Sequence, residues 1–320
     1  MRAALAQWSL PIPTVGLVAL SCAIYVRGFR RLHRQMPSRF PYGRLCAFLG
    51  GNLALLVAIA SPLAAFDDLL LSVHMVQHMI LMLVAPPLLL VGEPAIPLLR
   101  GLPTIVARRI LGPILKSRRL RRLGRRLTHP ITCLIVMTTA MLGWHLPGPY
   151  QLALHSEPWH VVQHSCFVVG ALFYWWPVVQ PWPSKPHWPV WTMIPYLLAA
   201  DVLNTVISAF LVFSERLIYP YYLTVPRIDG ISAFADQATA GAIMWVPGSL
   251  FFLIPAAAIA LRMLAPARMV RPAAVGISLL RTPPNVRPDS SSTGLDAFIP
   301  TKSAGPAAAT IAPSCENNRA

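Results

Sequence analysis

The sequence predicts an all-α fold: a polytopic membrane helix bundle of about seven transmembrane helices, with the N-terminus outside and the C-terminus cytoplasmic. Three observations carry this reading. Of the 320 residues, 55% are hydrophobic and only 12% charged, with a mean hydropathy of +0.56, whereas a soluble domain carries about a quarter charged residues. Several apolar runs approach the roughly 20 residues that cross a hydrocarbon core. Backbone groups cannot go unpaired in lipid, so these runs must be helical.

Taken in order, the expected spans are 11–27, 45–64, 72–91, 131–149, 158–179, 189–213 and 239–264. The first could be mistaken for a signal peptide. Its apolar run, Val15 to Val26, is followed by "RGFRRLHR", but a signal peptide carries its positive charge before the apolar core and a small-residue cleavage site after it. A retained span is therefore expected. Pro62, Pro86, Pro87, Pro195, Pro247 and Pro255 are expected to kink or end their helices, because proline removes a backbone donor.

Loop charge sets the orientation. Arg27 to Arg44 contains six arginines, and Arg100 to Arg126 contains ten Lys or Arg residues. The tail after Arg262 is also basic. By contrast, 65–71 carries Asp67 and Asp68, and 150–157 carries only Glu157. The 214–238 loop is mixed, and 180–188 has Lys185 alone. Basic loops stay cytoplasmic, which closes a seven-span alternation. Residues 1–265 are thus read as the seven-span domain and 266–320 as a cytoplasmic tail, disordered from about 281, where Pro, Ser, Thr and Ala lose all periodicity. Within 93–128, "IVARRILGPILKSRRLRRLGRRL" mixes Leu and Ile with arginine at helical spacing. An interfacial amphipathic helix on anionic lipid is expected there. The net charge of +16 follows from the same loops, and no nucleic-acid recognition motif accompanies it. Five cysteines include no C-x-x-C pair, so neither a disulfide framework nor a thiolate zinc site is indicated. Cys166 reads as a small apolar residue.

The chemistry lies in the histidines. His74 and His78 open the third span, and His160 and His164 open the fifth; both pairs enter from outside. Each is an i,i+4 pair, which projects two side chains from one helix face, a spacing that suits a shared metal. His78 and His164 both fall about 9 Å into their spans at 1.5 Å per residue, so the pairs can converge. His145 ends the fourth span at the same face, and His155 follows in the outer loop. Imidazole suits copper, zinc and iron, whereas thioether favours Cu(I). Met82 extends the His78 face, Met75 and Met79 form a neighbouring pair, and Met244 lies in the outer half of the seventh span. A single methionine is ordinarily apolar filler; together with the histidines, these tilt the site toward copper. Asp201, mid-span, is read either as an orienting partner for a histidine or proton relay, or as hydrogen-bonded with Asn204 and Ser208. Asp236 and Gln237 are expected to cap the seventh span, with Asp236 within reach of the metal site.

"HMVQHMILMLVAPPLLLVGEP" and "GWHLPGPYQLALHSEPWHVVQHSCFVVGALFYWWPV", with "LIYPYY" and "ADQATAGAIMWVPG", resemble the multi-span CtaG family of cytochrome c oxidase assembly factors over roughly 45–262. The resemblance implies a non-enzymatic factor of the bacterial cytoplasmic membrane. It would handle copper for a haem–copper oxidase and have that oxidase's subunits as partners. It matches His74, His78, His145, His160 and His164 to the family's histidine positions and Asp236 to its acidic one. Two other classes stay open. A di-iron membrane enzyme calls for an H-x-x-H-H element and a carboxylate-rich shell, and neither is present. A bis-His b-haem carrier calls for single histidines on facing helices rather than clustered pairs.

Overall fold

The computed structural model describes residues 11–184, 188–228 and 230–265, and the described residues form helices joined by turns, with no strand among them. Besides shorter helical segments, they include in chain order α1 (Ile12–Gln35), α2 (Tyr42–Ala60), α3 (Leu71–Val91), α4 (Ala95–Gly101), α5 (Arg118–Leu127), α6 (Pro130–His145), α7 (Pro147–His155), α8 (Glu157–Val179), α9 (Met193–Phe213) and α10 (Ala233–Leu264). Among the described residues six segments are long and apolar enough to cross a membrane, and a seventh is reached if α5 and α6, bent by 62°, count as one span. The expected tail from 266, with Lys185 and His187, lies outside the described residues.

Several boundaries differ from expectation for physical reasons. The fourth span does not run to 149. It stops at His145, and Pro147 opens a separate helix, α7, since proline is pre-organised for a first helical turn and cannot continue the previous one. His155 therefore ends a helix rather than lying in a loop. Helix α1 extends to Gln35 because its arginines continue the helix. Helix α10 starts six residues early and runs through Pro247 and Pro255. The basic segment does form a helix, α5. Leu120, Leu123 and Leu127 share one of its faces at i, i+3, i+7, and all three are exposed.

Pro86 and Pro87 do not end α3. They lack the N–H groups that would bond the carbonyls of Met82 and Leu83. A π-helical turn at Ile80–Val84 resets the hydrogen-bond ladder just ahead of them. Trp175 of α8 donates its indole N–H to the Met82 carbonyl at 2.9 Å, in a buried contact. The neighbouring helix supplies the bond that Pro86 cannot, and this ties α3 to α8.

Helix direction gives the bundle two ends. At one, α1 and α2 meet the end of α3. Tyr25 donates to the Gly92 carbonyl at 2.7 Å, Arg39 and Arg44 pair with Glu93, and Phe40 meets Trp182 edge-on. Glu93 has φ 48°, a left-handed conformation that costs a non-glycine residue energy; the two arginines hold it there. Helix α1 crosses α4 at Gly28 and Gly101, where an added methyl would strike the backbone carbonyls of Pro97 and Ile24. At the other end, α3, α7 and α8 begin, α6 and α9 finish, and α10 starts. The first half of α3 is packed against α10, and α8 lies against α6 and α7.

Candidate metal centre

The second end buries an imidazole cluster. His74 and His78 are 0% and 1% exposed, and their Nε2 atoms lie 2.8 Å apart. The pair on α8 meets them: ring centroids are 5.2 Å apart for His74–His160 and 5.3 Å for His78–His164. His145 joins from α6, its ring 6.3 Å from that of His78. Its Nδ1 lies 2.7 Å from the Met141 carbonyl, which fixes Nδ1 as the protonated nitrogen and leaves Nε2 as a free lone pair.

Two sets of ligand atoms each fall within 4.8 Å of one another: His74, His78 and His164, and Asp67, His74 and His160. His74 belongs to both. Nitrogens bound to one tetrahedral metal at about 2.0 Å sit about 3.3 Å apart, so the His74 and His78 rings must part slightly to admit an ion. The protein leaves this cluster unsatisfied. One ring nitrogen on each of His74, His78, His145, His160 and His164 is buried with no hydrogen-bond partner, as are the side-chain oxygens of Gln77 and Gln163. Each such group costs about 1–3 kcal/mol when left unpaired. In the His74–His78 pair one Nε2 donates to the other, so one of the two Nδ1 atoms carries a proton. A bound cation is the remedy for the ring nitrogens that remain acceptors.

Sequence reasoning used Asp67 only for topology, yet it is a member of the site. It is 2% exposed, and its Oδ2 lies 4.0 Å from His160 Nε2. Burial pushes its carboxyl up to about 7, and the Asp68 charge adds to the shift. Asp67, Asp68 and Glu157 line a cavity of about 690 Å³ that also reaches Gln77, His155, His160 and His164. Among the described residues no Lys or Arg lines it, so this vestibule favours cations.

Tyrosines wall the far side. Tyr150 stacks on Tyr219 at 4.0 Å and lies 5.2 Å from His74. Tyr222 donates to the Asp67 carbonyl at 3.1 Å, which leaves Tyr150 to donate to Tyr222. Tyr219 donates to the His145 carbonyl. The "LIYPYY" segment thus locks two of the site's backbone anchors. Phe167 closes the floor 4.6 Å from His78.

Asp236 does not cap its own helix. Ser232 does that, accepting from Ala235 N–H. Asp236 instead accepts from the backbone N–H groups of Leu71 and Ser72 and from the Ser72 hydroxyl. It caps α3, the helix that carries His74 and His78. Gln237 accepts from Ile218 N–H and donates to the Leu211 and Arg216 carbonyls, which pins the α9–α10 connection. Asp201 stands apart from the cluster. Its Oδ1 has no hydrogen-bond partner; Asn204 donates to the Met244 carbonyl and Ser208 to the Asn204 carbonyl. His155 packs edge-on against Tyr221 at the vestibule rim. Met75, Met79, Met82 and Met244 gather beneath His78, joined by Met137 and Met141, which sequence reasoning missed. Cys166 lines a separate groove with Gly170.

The fold and this site define a multi-pass helical membrane protein with a buried polyhistidine cluster at one end. Residues 23–265 match the model of the cytochrome c oxidase caa3 assembly factor family, and the chain belongs to that family. The match reaches beyond the segments that carry the resemblance at both ends. A protein of Mycobacterium bovis described only as uncharacterized is 30% identical over 241 residues, 72% of this chain and 35% of that protein. One of Mycobacterium leprae, described in the same way, is 27% identical over 247 residues, 72% of this chain and 36% of that protein. The chain spans about a third of the length of these curated relatives. No solved structure matches it.

Proposed function

We propose that this chain binds Cu(I) at the imidazole–carboxylate cluster, on the outer face of the bacterial cytoplasmic membrane, and passes it to a subunit of a haem–copper oxidase under assembly. The role is that of a chaperone rather than an enzyme. Membership of an oxidase assembly family supplies the context. The single observation that carries the copper reading is that five imidazoles from α3, α6 and α8 converge with an unpartnered buried nitrogen apiece.

Three features support the details. The arginine-rich segments lie at the opposite end of the bundle, which by the positive-inside rule supports an outer position for the cluster. The acidic vestibule draws a cation toward His160 and His164. Thioethers directly below His78 favour Cu(I) over zinc. The competing classes fit less well. Ring centroids 4.2–6.1 Å apart within the two pairs leave no slot for a porphyrin. A di-iron centre would call for several carboxylates, and among the described residues Asp67 alone enters the ligand groups.

The test is metal analysis of protein purified under reducing conditions and offered Cu(I) or Zn(II), with His78→Ala/His164→Ala alongside. Copper retained by the wild type and lost by the variant is expected. Absence of copper in the wild type, equal retention in the variant, or preference for zinc contradicts the reading.

A further inference from the structure

Beneath the histidine cluster the bundle holds a second, unlike environment. Met75, Met79 and Met82 of α3, Met137 and Met141 of α6, and Met244 of α10 line one cavity of about 10 Å³. The chain has eleven methionines, so six of them meet in one place. On α3 they sit at i, i+4, i+7, and on α6 at i, i+4, so each helix turns one sulfur-bearing face toward the same point.

The cavity suits a single ion and little else. Its volume is at the lower limit for one water, which excludes an organic ligand. A water also needs two to four polar partners. The wall offers His78 and Asn204, and the Asn204 amide already donates to the Met244 carbonyl. What the wall does offer is thioether sulfur, a soft ligand that selects Cu(I). The segment that forms it is also the one whose helical ladder is broken, by the π-turn at Ile80–Val84, a feature that recurs at functional sites.

His78 connects the two environments. Its ring lies 4.3 Å from that of His74 and 5.3 Å from that of His164, and it also borders the methionine cavity. We propose that this cavity is a second, thioether-ligated Cu(I) station, filled from the histidine cluster through His78. This rests on the copper reading of that cluster. The transfer is ligand exchange: copper–nitrogen bonds break, copper–sulfur bonds form, and the ion stays Cu(I) throughout with no electron or proton moved. Thioethers are neutral, so the ion keeps its charge in an apolar surround. The station is therefore weaker than the carboxylate-bearing cluster and gives its ion up readily.

The experiment is anaerobic Cu(I) loading of the purified full chain, read by copper-to-protein ratio and by X-ray absorption for sulfur ligation. Wild type, His78→Ala/His164→Ala, Met82→Leu/Met244→Leu and Met137→Leu/Met141→Leu are compared. Leu for Met conserves volume and is well tolerated in cores, and the two methionine pairs lie on different sets of helices. About two copper ions per chain with sulfur in the coordination sphere are expected in the wild type, falling to about one nitrogen-bound ion in either methionine variant. Wild-type copper ligated by nitrogen and oxygen alone, or methionine variants with unchanged ratio and sulfur signal, overturns the second station and leaves the histidine reading standing. A wild type that takes up no copper overturns both.

Discussion

His33 and His78 lie at opposite ends of the bundle and are treated in opposite ways. His33 has its Nδ1 2.8 Å from the Phe40 carbonyl, in an end where Arg44 and Arg39 pair with Glu93 and Tyr25 is bonded to Gly92. His78 is wholly enclosed, and its Nδ1 has no partner; four further imidazoles nearby share that condition. One end uses polar groups to hold helices together. The other leaves buried ring nitrogens without hydrogen-bond partners, a departure from local stability of the kind that marks candidate functional sites.

That contrast can be broken experimentally, beginning with the largest effect. Glu93→Ala strands the Arg44 guanidinium at the arginine end and is expected to cost about 3 kcal/mol of stability, seen as a lowered thermal midpoint in detergent, with copper content unchanged. Loss of copper there would mean the two ends are not separate in role. At the histidine end, saturating Cu(I) should stabilise the wild type by about 2.7 kcal/mol at a hundredfold excess over Kd. His78→Ala/His164→Ala should abolish that gain, even though losing the His74–His78 hydrogen bond and the buried ring volume lowers the metal-free midpoint as well. A copper-dependent gain that persists in the variant would instead mark these histidines as structural.

Asp236→Ala sharpens the comparison, since this residue holds α3 without belonging to the ligand groups. Losing an N-terminal cap costs about 1–2 kcal/mol, and copper affinity should fall about tenfold as His74 and His78 lose their fixed position. Titration with a competing Cu(I) chelator measures this; a falling midpoint with unchanged affinity would refute the positioning role. The smallest effect is expected from His33→Ala. It removes one hydrogen bond worth about 1 kcal/mol and should leave copper binding as it was.

The same contrast explains what the sequence could disclose. His74, His78, His160 and His164 were legible because i,i+4 spacing and matched depth are both properties of single helices. Asp67, Gln77 and Gln163 were not, because their membership depends on which helices neighbour one another. Met137 and Met141 look like apolar filler until α6 is seen to face α3 and α10. Asp236 was legible as a capping group but assigned to the wrong helix, since capping across 165 residues of sequence is a tertiary fact. The break at Leu146 was hidden because the apolar run from 131 to 149 is continuous in composition. The persistence of α3 past Pro86 depends on an indole from another helix, Trp175.

The central claim is that the open imidazoles serve copper delivery to an oxidase, and its most direct test is the copper content of that oxidase in the host cell. Cells lacking this chain are complemented with wild type or with His78→Ala/His164→Ala, both confirmed in the membrane at equal abundance. The account predicts a copper-replete oxidase with wild type and a copper-deficient, inactive one with the variant. An oxidase fully loaded with copper in cells carrying only the variant would contradict it.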